Sequence, residues 1–152
     1  MPYTTAEGRQ QLLDALAEAV AQLAAALAAL SELYERLDEL SADAVEEQLF
    51  RPVQAAYGRA RRAHAGFSER HGLPVRTFAE AVHGAPAHGV KGFMESAVTS
   101  VAAADRLLAE LQDSMLPVEV GDTLLRADLE QVRASIGPVG VRARALERTL
   151  GR

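Results

Sequence analysis

Four histidines, no cysteine and a scattering of carboxylates are the side chains from which this 152-residue sequence could build chemistry. His64 and His71 stand seven residues apart, and Tyr57 and Phe67 share their helical phase, so all four fall on one face of a single helix. A buried imidazole needs a partner for each ring nitrogen, because leaving one unpaired away from water is costly. His64 therefore has three readings: a hydrogen-bonded core or edge histidine, the wall of a small-ligand pocket, or a catalytic or metal-binding group. The first is the plainest. If a small molecule binds, Tyr57, His64, Phe67 and His71 are the residues expected to line its pocket. His71 also falls in the last turn of its helix, where a cation complements the helix dipole.

His83 and His88 follow in the segment that leaves this helix, and all four histidines can gather near one end of the fold. No spacing among them matches a zinc site. A di-iron or di-manganese centre in a helical bundle needs two Glu-x-x-His pairs and two further Glu, all directed inward. Only Glu80 to His83 supplies such a pair, and it lies outside the apolar repeats. The absence of cysteine removes disulfides, thiolate zinc sites, iron–sulfur clusters and a cysteine nucleophile. There is no phosphate-binding glycine loop, nucleophile elbow or dinucleotide fingerprint, and no serine stands with a base at triad spacing. No catalytic residue, metal or cofactor is expected.

Arginine is the other abundant polar type, with 15 Arg against the single Lys91. Arg51, Arg59, Arg62 and Arg70 fall within about 100° of arc behind the histidine face. They read as a solvated charged surface, with an anion or acidic-partner site as the sharper alternative. Arg61 lies at the edge of the apolar stripe and could reach acids on the preceding helix. Duplex nucleic acid is a poor partner for a chain of net charge −5 with inward aromatics and no recognition motif.

The elements that position these residues are set by apolar spacings of three and four. Leu13, Leu16, Val20, Leu23, Leu27, Leu30, Tyr34 and Leu37 form the first stripe, preceded by a capping box from Thr4 to Glu7. This predicts a helix over 5–40, roughly 54 Å long at 1.5 Å per residue. Ser41 to Ala44 is the expected break, with Ser41 or Asp43 capping a second helix over 43–71 and Pro52 near its start. Gly72-Leu73-Pro74 is the sequence of a Schellman stop. Residues 72–88 hold no sustained repeat and read as a long connection. A third stripe, from Val90 to Met115, predicts a helix over 89–115 that Pro117 ends. The fourth, from Leu125 to Leu150, predicts a helix over 122–150 with Asp122 as N-cap, kinked but continuous through Gly137-Pro138. Four long helices with one apolar stripe each predict a single all-α domain over 1–152, an antiparallel up-down-up-down four-helix bundle with a long second-to-third connection.

Composition agrees, since 30 alanines favour helix over sheet. Charge is uneven: residues 1–50 carry −8, 51–92 carry +5 and 93–152 carry −2, which favours packing of the first two blocks against each other. Neither a signal peptide nor an uncharged run of the ~20 residues that span a bilayer is evident, so a soluble, cytoplasmic protein without a membrane partner is expected. Ten of the alanines lie in the first 29 residues. Ala21, Ala25, Ala28 and Ala29 occupy the face of the first helix where its ends carry Asp14, Glu18, Glu32 and Glu39. An uncharged, small-residue face admits close approach of another helix. The function expected is therefore a non-enzymatic protein-contact module, partnered by a second copy in a homodimer or by another helical protein. The alternative is a small-molecule binder or bundle enzyme with its pocket near His64, lidded by residues 73–88.

Overall fold

The computed structural model describes residues 4–81 and 89–150, and the described residues are all-helical. They form α1 (Thr5–Glu35), α2 (Glu39–Val45), α3 (Arg51–Arg70), α4 (Gly89–Asp113), α5 (Leu116–Glu119), α6 (Thr123–Ile136) and α7 (Val139–Leu150). A π-helical turn, Glu46–Phe50, joins α2 to α3.

Thr4 caps α1 as its sequence predicts, its hydroxyl accepting from the Glu7 amide at 3.1 Å. The helix stops at Glu35, five residues short of the expected Leu40. Asp38 is the reason: its backbone is extended and its carboxylate accepts from the Ser41 amide at 2.8 Å, which starts α2 at Glu39. Ser41 and Asp43, expected as caps, lie inside α2 instead. Leu37 hid the break, because it keeps the apolar phase and packs on the core without being helical.

Pro52 sits in the first turn of α3 and cannot donate to the carbonyl of Gln48. The π-turn absorbs the irregularity, with the Arg51 amide donating to Glu46 five residues back. Arg142, from α7, donates to the Gln48 carbonyl at 3.3 Å. At the far end of the fold, Met115 adopts a left-handed conformation (φ 69°) and turns the chain into α5. Gly121 follows, where a Cβ would collide with the Pro117 carbonyl oxygen. Between α6 and α7 the chain makes a turn at Gly137 and Pro138, yet Gly137 keeps right-handed helical angles and Ile136, Val139, Ala143 and Leu146 are all buried. The predicted continuous helix is thus two helices that preserve one apolar phase.

One hydrophobic cluster runs through α1, α3, α4, α6 and α7. The most extensive contact is between α1 and α4, followed by α3 with α6 and α3 with α1. Small buried residues, Ala19 and Ala26 on α1 and Ala97 and Ala104 on α4, permit that proximity. Arg36 lies over the Phe93 ring at 4.6 Å, and Arg9 donates to the Val120 carbonyl at 3.1 Å, so α4 runs antiparallel to α1. Arg70 with Asp122, Arg59 with Asp128 and Arg142 with Gln48 set α6 and α7 antiparallel to α3.

Phe50 beside Tyr34, Tyr57 beside Ala28 and His64 against the Leu13 backbone set α3 antiparallel to α1 as well, so α3 and α4 share one direction and the up-down-up-down order expected from the sequence does not describe these contacts. Residues 73–81, the described part of the connection, accordingly run back beside α3. In addition, α1 is long and apolar enough to cross a membrane by length and composition, contrary to the run-length argument; 56% of that apolar window is buried inside the protein.

Candidate functional site

α3 owes its inward face to Val53, Ala56, Ala60, Ala63, His64, Phe67 and Ser68, all buried. It ends as Gly72-Leu73-Pro74 predicts. Gly72 is left-handed (φ 69°), the Leu73 amide donates to the Ser68 carbonyl at 2.8 Å, and Leu73 packs on the core. Residues 73–81 then form a non-helical strap that climbs back beside α3. Phe78 stands edge-on to His64, with ring centroids 5.1 Å apart. Further along, Glu80 and Ala81 meet Tyr57 of α3 and Ala24, Leu27, Ala28 and Ser31 of α1 around a cleft of about 200 Å³.

His64 is only 3% exposed, and its Nδ1 is buried without a hydrogen-bond partner. Burial pushes the imidazole below its ordinary pKa and the positive charge of Arg76 on the strap adds to this, against the Leu13 backbone and the Asp14 charge. Burial thus favours the neutral imidazole, which is sealed between the helix pair and Phe78. Its backbone carbonyl also accepts from the Ser68 hydroxyl at 2.8 Å.

The four residues expected to line one pocket do not converge. Tyr57 borders the small cleft, His64 is sealed, and Phe67 is completely buried in the core. His71 faces Phe67 at 4.4 Å and places its Nε2 2.9 Å from Asp122. Tyr57 and His71 are separated by about 21 Å along the helix. His83 and His88 lie outside the described residues. Among the described residues no three His, Cys, Asp or Glu side chains group as a metal ion would require.

Asp122 is the most heavily engaged carboxylate. It accepts from the Leu125 amide at 2.8 Å as N-cap of α6, and from Arg70 through Nε at 2.8 Å and Nη2 at 3.0 Å. Burial would raise its pKa, but Arg70, the Leu125 amide and His71 outweigh burial and hold the carboxyl well below the usual carboxylate range. The cluster fastens the end of α3 to the start of α6.

The arginines divide into paired and unpaired sets. Arg59 donates to Asp128 at 2.8 Å, Arg70 binds Asp122, and Arg133 on α6 holds Asp105 at 2.9 Å and Gln112 at 2.8 Å. Arg51 approaches Glu46 only to 4.0 Å. Arg61 does not reach α1 acids but lies over the Tyr57 ring at 5.2 Å. With Arg62 and the strap's Arg76, Thr77 and Phe78, it lines a groove of about 430 Å³. Sequence reasoning missed Arg76 because the strap has no period to place it, although it belongs to the basic block at 51–92.

A larger cleft of about 650 Å³, also unforeseen, opens between α4 and α7, where Lys91, Arg144 and Arg148 surround Val90, Met94 and Leu150. On α1, Ala29 is completely buried, which corrects its place on an outward face. Ala21 is exposed, and Ala25 and Ala28 are half-buried. The chain matches no family model, and neither a curated protein nor a solved structure matches it.

Proposed function

We propose that the protein is a non-enzymatic contact module: a four-helix bundle with one long crossover, which pairs through the outward face of α1 with a second copy of itself. The supporting observation is that Ala21 and Ala25 are uncharged and at least partly open, with Asp14 and Glu18 before them and Glu32 after, while Ala28 at the edge of this face borders the strap cleft. Alanine loses no rotamer freedom on burial and lets helix axes approach to about 8 Å. Ala21 to Ala28 spans only about 10 Å of helix, so a crossing contact centred on Ala25 suits it better than a long parallel seam.

In either two-fold arrangement the acids of one copy face those of the other. Screening these charges should strengthen the association, the reverse of a salt-bridged interface. The same reading has the protein working in the cytoplasm, without catalysis, cofactor or metal, and with neither nucleic acid nor membrane as partner. Another helical protein could take the place of the second copy.

Sedimentation velocity at micromolar protein tests this. A dimer that tightens between low and moderate salt and becomes monomeric in Ala25→Glu is expected. A strict monomer, or a dimer that survives Ala25→Glu, overturns self-association. A second reading, small-molecule binding, is favoured by the orphaned Nδ1 of His64 beneath the strap. A thermal-shift screen of small molecules tests it, with stabilisation of the wild type and none of His64→Leu as the expected result.

A further inference from the structure

The groove between the strap and α3 collects three guanidinium groups and no acid. Arg61 is held against Tyr57 at 5.2 Å and Arg76 against Phe78 at 5.3 Å. Arg62 folds back over Gly58, where even a Cβ would lie 3.0 Å from its Nη1. Each side chain is thus positioned by stacking or by the helix surface and not by hydrogen bonds. No carboxylate lies within ion-pair distance of any of the three among the described residues, whereas Arg59 and Arg70, on the same helix, are both neutralised by α6 acids. Their donors are therefore free. Three like charges around one groove of about 430 Å³ repel one another until an anion enters.

The geometry points to a binding site for a phosphate-bearing small molecule in this groove, gripped by Arg61, Arg62 and Arg76. Guanidinium forks match the oxygens of a phosphate group in pairs, and a multiply charged phosphate answers several cations where a single carboxylate would answer one. The volume is that of a small-molecule site. Gly58 has a role here, since its missing side chain leaves Arg62 room to lie flat. Bound anion would also offset the Arg76 charge that acts on His64 behind Phe78. The buried imidazole is a built-in reporter of occupancy.

Calorimetric titration of the full chain with inorganic pyrophosphate at low ionic strength, paired with an NMR pH titration of the His64 ring, tests the site. Pyrophosphate is expected to bind, with affinity reduced about tenfold or more in Arg62→Gln and in Arg76→Gln. Arg106→Gln, whose side chain is exposed on α4, should bind as the wild type does. The His64 midpoint should rise when pyrophosphate is present. Ala25→Glu should leave binding unchanged, which separates this site from self-association. Circular dichroism establishes that the variants are folded. Absence of binding at millimolar pyrophosphate, groove variants that bind as tightly as the wild type, or an unmoved His64 midpoint would each overturn the assignment.

Discussion

Asp122 illustrates how much one side chain can carry. As an N-cap it was legible in sequence, because an Asp after glycine and before an apolar repeat has one common use. Its ties to Arg70 and His71 were not legible, since the partners lie 52 and 51 positions away in sequence. The folded-state pKa of this carboxyl is depressed, so the unfolded chain binds more protons as acid is added. Its contribution is complete above the unfolded value near pH 4 and is lost progressively as pH falls below that. Asp122→Asn should cost about 1–3 kcal/mol at neutral pH and flatten the acid limb of the stability curve, measured by urea unfolding from pH 7 to 3. His64 shows the opposite balance of foresight. Its burial followed from spacing alone, whereas the ring that seals it comes from a segment without spacing.

Helices were readable where local chemistry and apolar phase agreed. Thr4, Gly72 and Asp122 mark ends because cap geometry depends on a few adjacent residues. The ends near Leu37 and Met115 were misplaced for one reason: an apolar residue outside the helix still packed on the core or kept its phase. Glycine gives a paired test of these joints. Gly121→Ala drives a Cβ into the Pro117 carbonyl and should destabilise by about 1–3 kcal/mol. Gly140→Ala, in the first turn of α7, meets nothing within 4 Å and should stabilise by about 0.5 kcal/mol. Thermal and chemical denaturation of both variants checks the opposite signs.

At the scale of the molecule, the helical class was legible and the order of directions was not. Short joints oblige neighbouring helices to reverse, but a 17-residue connection leaves either direction open. The pairings of Arg36 with Phe93 and Arg9 with Val120, and of Tyr57 with the middle of α1, leave α3 and α4 running in one direction. Length then becomes a requirement. Deleting 78–87 would leave seven residues, about 24 Å when extended, to climb past a helix of about 30 Å. Made in the Ala25→Glu background, such a chain should lose its single-chain fold, either exchanging helices with a second chain or failing to unfold cooperatively. Replacing the same ten residues with Gly and Ser should keep the fold, because span is retained. Light scattering with circular dichroism distinguishes the two.

The pairing of α1 with α4 also sets a schedule for synthesis. α1 ends at Glu35, but its most extensive partner is complete only at Asp113, 78 residues later. At ribosomal rates of about 5–20 residues per second, that interval is roughly 4–16 s. For those seconds the most apolar helix of the chain has only the α2–α3 arm to shelter it. A nascent chain of this design presents a long apolar segment well before the finished protein hides it.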